Sequence, residues 1–131
     1  VKDFVNTTHL EKYVKVFPPV KYKESQQILE SYDIQLIVEA PCEEGIFLPT
    51  KVSDSMQLGK PIFTISPSVG VLNDLYKQGH ISYFSSLDDE KNILSTLKQV
   101  YNDFTNGRIK SFSLEKSYSP RFIFQQYNEI I

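Results

Sequence analysis

The chain has 131 residues, enough for one domain whose core needs no covalent staples. Hydrophobic residues make up 40% and charged residues 23%, with a formal net charge of −2, a balance that excludes the basic footprint of a nucleic-acid binder. A lone cysteine, Cys42, excludes an internal disulfide, His9 and His80 lack the clustering of a metal site, and no apolar run is long enough to span a membrane.

Residues 1–11 are weakly helical and open in mid-pattern at Val1, as the tail of an element that begins upstream. Tyr13 to Phe17 reads as a strand closed by Pro18-Pro19. Lys23 to Tyr32 reads as a helix with Ile28 and Leu29 inward. The run Ile34 to Val38 is the strongest buried-strand candidate, since near-continuous branched residues suit a parallel strand covered on both faces. A loop follows, Glu39 to Gly45, then Ile46 to Pro49 and a helix from about Thr50 to Leu58 with Val52, Ser55 and Met56 on one face. Gly59 stops that helix at positive φ, and Pro61 fits only the first position of the strand Ile62–Ile65.

The loop Ser66–Gly70 leads into a helix over about Val71–Gln78, stopped by Gly79, and Ile81–Phe84 is a short strand. Asp88 and Asp89 open a helix in which Ile93, Leu94, Leu97, Val100, Tyr101 and Phe104 keep helical spacing. Asn106-Gly107 ends it, residues 108–118 read as loop, and Pro120 to Ile131 reads as a last helix with Phe122, Ile123, Gln126, Tyr127 and Ile130 as its stripe. Phe112, Tyr118 and Phe124 are expected to pack with these terminal elements.

Strands followed by helices, four times over, predict a single α/β domain over 1–131: a Rossmann-like, three-layer arrangement with a mostly parallel sheet of four or more strands. Ligands of such sheets bind beyond the carboxyl ends of the strands, which directs attention to the loops 18–22, 39–49 and 66–70. The Val14–Phe17 strand would sit apart from the other three and leave open edges, so strand re-pairing or a homodimer of the fragment is expected.

The stretch that carries chemistry is Pro49-x-Lys51-x-x-Asp54-x-Met56-x-x-Gly59-Lys60-Pro61. A helix amino end there offers unpaired N–H groups and the positive end of a dipole, both suited to phosphate. Lys51 adds a full charge in the first turn, and Asp54, one turn on, can accept hydrogen bonds from two vicinal ribose hydroxyls. Gly45 lets backbone pass close to a ligand.

This stretch resembles the P-x-K-x-x-E-Y-x-x-x-G-K-P helix of glycosyltransferases with the GT-B fold, in particular the retaining, nucleotide-sugar-dependent group 1 type. A second resemblance runs through Val16-Phe17-x-Pro19-Val20-x-Tyr22-x-Glu24-Ser25, then Ile28-Leu29 and Asp33-Ile34, and the closing helix stands where the family has one, so the likeness covers nearly the whole chain. It implies a C-terminal, donor-binding domain in which Asp54 meets ribose, Lys51 with the backbone of Phe47, Leu48, Pro49 and Thr50 meets diphosphate, and Glu44 and Gly45 lie near the sugar. It implies a nucleotide sugar as substrate with no separate cofactor or metal, an N-terminal acceptor-binding domain in the same chain, a cytoplasmic location, and peripheral membrane association of the full enzyme. Three positions depart from the pattern: Asp54 replaces the usual glutamate, Ser55 the usual tyrosine, and Ile46 a glutamate eight residues before the ribose position.

Other readings of the same residues stand beside this one. Lys51 and Asp54 can be a solvated i,i+3 pair, Glu43 and Glu44 a solvated loop, Tyr22 a packing residue, and Gly59-Lys60-Pro61 a helix stop feeding a strand. The whole chain can also be a non-catalytic flavodoxin-like or receiver-like interaction module, although no strand ends in a phosphoacceptor aspartate, or a nucleotide-sugar epimerase of the same fold.

Overall fold

The structure is a computed structural model that describes residues 1–109 and, beyond them, Gln125 alone. The loop expected from residue 110 onward, the helix expected over 120–131 and the aromatics Phe112, Tyr118, Phe122, Phe124 and Tyr127 lie outside the described residues. In chain order the elements are α1 (Lys2–Thr7), α2 (Tyr22–Glu30), β1 (Gln35–Val38), α3 (Thr50–Gln57), β2 (Ile62–Ser66), α4 (Val71–Lys77), β3 (Tyr83–Ser86) and α5 (Glu90–Thr105).

The three strands form one parallel sheet in the order β1-β2-β3, with Leu36 beside Phe63 and Phe63 beside Tyr83. Parallel neighbours need crossovers, and α3 and α4 supply them. Strand residues alternate between faces, so each helix has its own apolar partners. Val52 and Met56 of α3 and Leu72 and Leu75 of α4 pack with Ile37, Ile62 and Ile81 on one face. On the other, Ile93 and Val100 of α5 pack against Phe63, Ile65 and Tyr83. A helix–sheet–helix α/β domain results, as the periodicities predict.

Local chemistry explains the element ends. Gly59 adopts φ 64°, its N–H bonds the Met56 carbonyl, and the Lys60 N–H bonds that of Ser55, which is a Schellman stop. Asp89 caps α5 by accepting from the Asn92 N–H at 2.9 Å. Ser55, expected on the inward face of α3, is fully buried with Val52 and Met56. Among the described residues no helix is long and apolar enough to cross a membrane.

Three expectations need correction. Tyr13–Phe17 is not a strand: the Tyr13 and Val14 N–H groups turn back onto the Leu10 carbonyl, and Val14 to Phe17 run on without a ladder. Pro18 and Pro19 beside them have no N–H to donate, and a strand without a partner edge has nothing to hold it. The sheet therefore has three strands among the described residues rather than four. The doubly covered strand is β2, all five of whose residues are buried, and not β1, where Leu36 and Val38 remain 53% and 58% exposed. The cause is the footprint of α5, which reaches Phe63, Ile65 and Tyr83 and stops short of the outer strand. Lastly, β3 is displaced from Ile81–Phe84 to Tyr83–Ser86: Ile81 enters the core ahead of the strand, and Ser85 is buried because its hydroxyl bonds Thr96 Oγ1 at 2.9 Å.

Truncating the centre should cost far more than truncating the edge. Phe63→Ala is expected to lower unfolding free energy by about 3–5 kcal/mol, and Leu36→Ala by no more than about 0.5 kcal/mol, the range of exposed positions. Urea titration of the two variants checks this, and equal losses would show that β1 is covered on both faces.

Candidate functional site

Two neighbouring features occupy the region that the sequence marks. The first is a seam between the loops that leave β1 and β2. The Gly45 N–H bonds the Val69 carbonyl at 2.9 Å, and the Val71 N–H bonds the Gly45 carbonyl at 2.8 Å, so Gly45 and Gly70 form a parallel bridge beyond the strands. No side chain fits at Gly70. A Cβ on Gly70 would lie 2.5 Å from the Gly45 carbonyl oxygen, and Gly70 already has φ 150°. Gly45, expected to let backbone pass close to a ligand, instead meets the backbone of a second glycine, Gly70.

Glu39, just past β1, lies at the same seam, its Oε2 2.9 Å from where a Cβ on Gly45 would sit. Burial raises its pKa above the usual carboxylate value of 4.5. The flanking side chains stand away from the protein: Ile46 is 63% and Phe47 78% exposed, and Glu43 and Glu44 are solvated.

The second feature is a groove of about 550 Å³ between α2, α3 and the outer edge of β1. Phe17, Ile28, Leu29, Ile34 and Leu36 supply an apolar floor, while Thr50, Lys51 and Asp54 of α3 stand along it. The groove therefore gathers three of the predicted site residues. Glu44, Gly45, Phe47, Leu48 and Pro49 do not line it. It follows the sheet edge, so of the three loops expected to frame a site, 18–22 contributes Val20, whereas 39–49 and 66–70 are stitched to each other.

Helix α3 begins at Pro49, which has extended backbone and offers no side chain to the first N–H groups. The amino end is thus open in the way phosphate binding requires. Lys51 is exposed and makes no ion pair with a described residue, so the solvated i,i+3 pair with Asp54 does not form. Asp54 instead accepts a hydrogen bond from the Tyr22 hydroxyl at 3.0 Å. That bond, before any other cause, raises the Tyr22 pKa.

Beneath this rim runs a buried polar link. The Ser55 hydroxyl is shared between the Gln35 side-chain oxygen and the Lys51 carbonyl, and the Gln35 amide nitrogen donates to the Leu29 carbonyl at 3.5 Å. α2, β1 and α3 are joined through one amide. Tyr22, weighed in the sequence as packing, and Gln35, hidden in a run of apolar residues, had no periodic signal of their own. Among the described residues there is no group of three metal-capable side chains, and Cys42 is an exposed free thiol.

Comparison with family models, with curated proteins and with solved structures returned no match.

Two measurements test that geometry. Gly70→Ala, which strains φ and collides with Gly45, should destabilise by about 1–3 kcal/mol; a neutral result in denaturant titration would dissolve the seam. Glu39 favours its neutral form in the folded chain, so its contribution is complete below the unfolded pKa and is lost as pH rises through the raised folded value. Glu39→Gln, which stays neutral, should gain stability relative to the parent between acid and neutral pH, and a difference in Tm independent of pH would contradict the burial of that carboxylate.

Proposed function

We propose that the chain is the donor-binding, C-terminal domain of a retaining nucleotide-sugar glycosyltransferase of the GT-B, group 1 kind. The observation that carries this reading is the placement of Lys51 and Asp54 along one groove, beside an α3 amino end with no side-chain cap. The two residues are three apart, about 4.5 Å along a helix axis, a span that suits a diphosphate followed by a ribose. The apolar groove floor suits the flat face of a base. The resemblance in the Pro49–Pro61 stretch adds support, because Gly59 and Pro61 occupy the helix-stop and strand-entry positions that the motif requires.

In the proposed reaction the bond between the anomeric carbon of the sugar and the diphosphate oxygen breaks, and a bond from that carbon to an acceptor oxygen forms. The departing diphosphate keeps the electron pair and takes up the proton that the acceptor hydroxyl gives up. Lys51 and the amino-end N–H groups of α3 hold that developing charge with fixed positive dipoles and a cation, which lowers the barrier without reorganisation. No step calls on a metal. The acceptor site and the groups that act on the acceptor belong to an N-terminal domain of the same enzyme, working in the cytoplasm with the membrane surface as its periphery.

One observation favours a second reading. Leu36 and Val38 of β1 and Leu94, Leu97 and Tyr101 of α5 are exposed apolar side chains. A non-catalytic flavodoxin-like or receiver-like module would use such a surface to meet a partner protein.

Nucleotide titration separates the two. UDP or GDP at about 1–10 mM, a range that detects binding as weak as about −4 kcal/mol, should raise Tm and shift amide resonances of α3, and Asp54→Ala should abolish the response. Silence from both nucleotides, or an undiminished response in Asp54→Ala, would sink the donor-site reading and favour the module.

A further inference from the structure

We propose that Tyr22 is a positioning residue for Asp54, and that their hydrogen bond sets how strongly the groove prefers ribose over 2′-deoxyribose. The inference rests on the nucleotide reading above and goes beyond it, since nothing in the Pro49–Pro61 stretch points to Tyr22.

The geometry begins with α2. No residue of that helix is fully buried, and Tyr22 at its first position is 65% exposed. Core packing therefore does not explain the side chain. Its hydroxyl crosses to Asp54 Oδ1 at 3.0 Å, the one side-chain hydrogen bond between α2 and α3 among the described residues. An ionised carboxylate has two oxygens and about four acceptor sites. Tyr22 takes one of them on Oδ1, which restrains rotation of the group, and leaves Oδ2 without a donor among the described residues.

A vicinal diol presents two donors about as far apart as two carboxylate oxygens. A plane held in advance accepts both without paying side-chain entropy at the moment of binding. Asp54 is one methylene shorter than glutamate, so its reach depends more on where its neighbours hold it. Loss of the phenol lets the carboxylate rotate. That weakens a ligand with both hydroxyls and leaves one lacking the 2′-hydroxyl nearly untouched. A tyrosine that only braced α2 against α3 would affect both ligands alike.

The test uses the 131-residue chain, with UDP, GDP and their 2′-deoxy counterparts as probes and NMR titration as readout. The parent protein should prefer the ribonucleotide by about 10-fold, the worth of one hydrogen bond to a charged group. Asp54→Asn should erase that preference. Tyr22→Phe should reduce it to about 3-fold or less while the 2′-deoxy affinity stays the same, and the Tyr22 Cζ resonance of the parent should move with the ribonucleotide only. A preference lost in Asp54→Asn but intact in Tyr22→Phe would overturn the role of Tyr22 and leave the donor site standing. Equal weakening of both nucleotides in Tyr22→Phe would also overturn it, in favour of a brace. A parent chain with no preference, or with no binding, would overturn the ribose reading and this inference together.

Discussion

The two-sided burial of β2 is the constraint on which the rest of the molecule depends. Ile62 and Thr64 face α3 and α4, Phe63 and Ile65 face α5, and all are shielded from water. A strand buried on both faces has to find its hydrogen bonds on its two edges, because none is available from solvent. β1 and β3 supply them, both parallel, and parallel pairing in turn demands the crossover helices. The position of α3, and with it Lys51 and Asp54, is a consequence of satisfying one strand.

The seam between Gly45 and Gly70 extends the same logic past the ladder. Beyond the last paired residues two loops continue side by side, exchange two backbone hydrogen bonds, and approach closer than any Cβ permits. The seam ties the chain before α3 to the start of α4. The groove is held differently. Its α2 wall contributes no fully buried residue, and the Tyr22–Asp54 and Gln35–Leu29 hydrogen bonds connect it to the sheet and α3. A wall attached by polar contacts at its rim opens more cheaply than one seated in a core.

Much of the architecture was legible from the chain because local rules and tertiary packing agree there. The Val52, Ser55, Met56 face of α3, the Gly59 stop, the entry of Pro61 into β2 and the capping of α5 by acidic residues follow from helical spacing, glycine freedom and dipole chemistry. Ile34–Val38 misled because a run of branched residues states only that a strand is apolar. Which faces are covered depends on where α5, a helix that begins 52 residues after β1 ends, comes to rest. Tyr13–Phe17 misled for the related reason that strand propensity does not create a pairing edge.

For the candidate site the division is similar. The sequence by itself determined that one short helix carries a lysine and a carboxylate a turn apart behind an open amino end, since spacing on a helix is set by its own 3.6-residue turn. Only the tertiary structure decided what surrounds them: that Asp54 meets Tyr22 from 32 residues earlier, that Lys51 is left without an ion-pair partner among the described residues, and that Gly45 closes against Gly70 instead of lining the groove. Those contacts join residues distant in the chain. No local periodicity encodes them, because they exist only once the buried β2 has brought its neighbours into register.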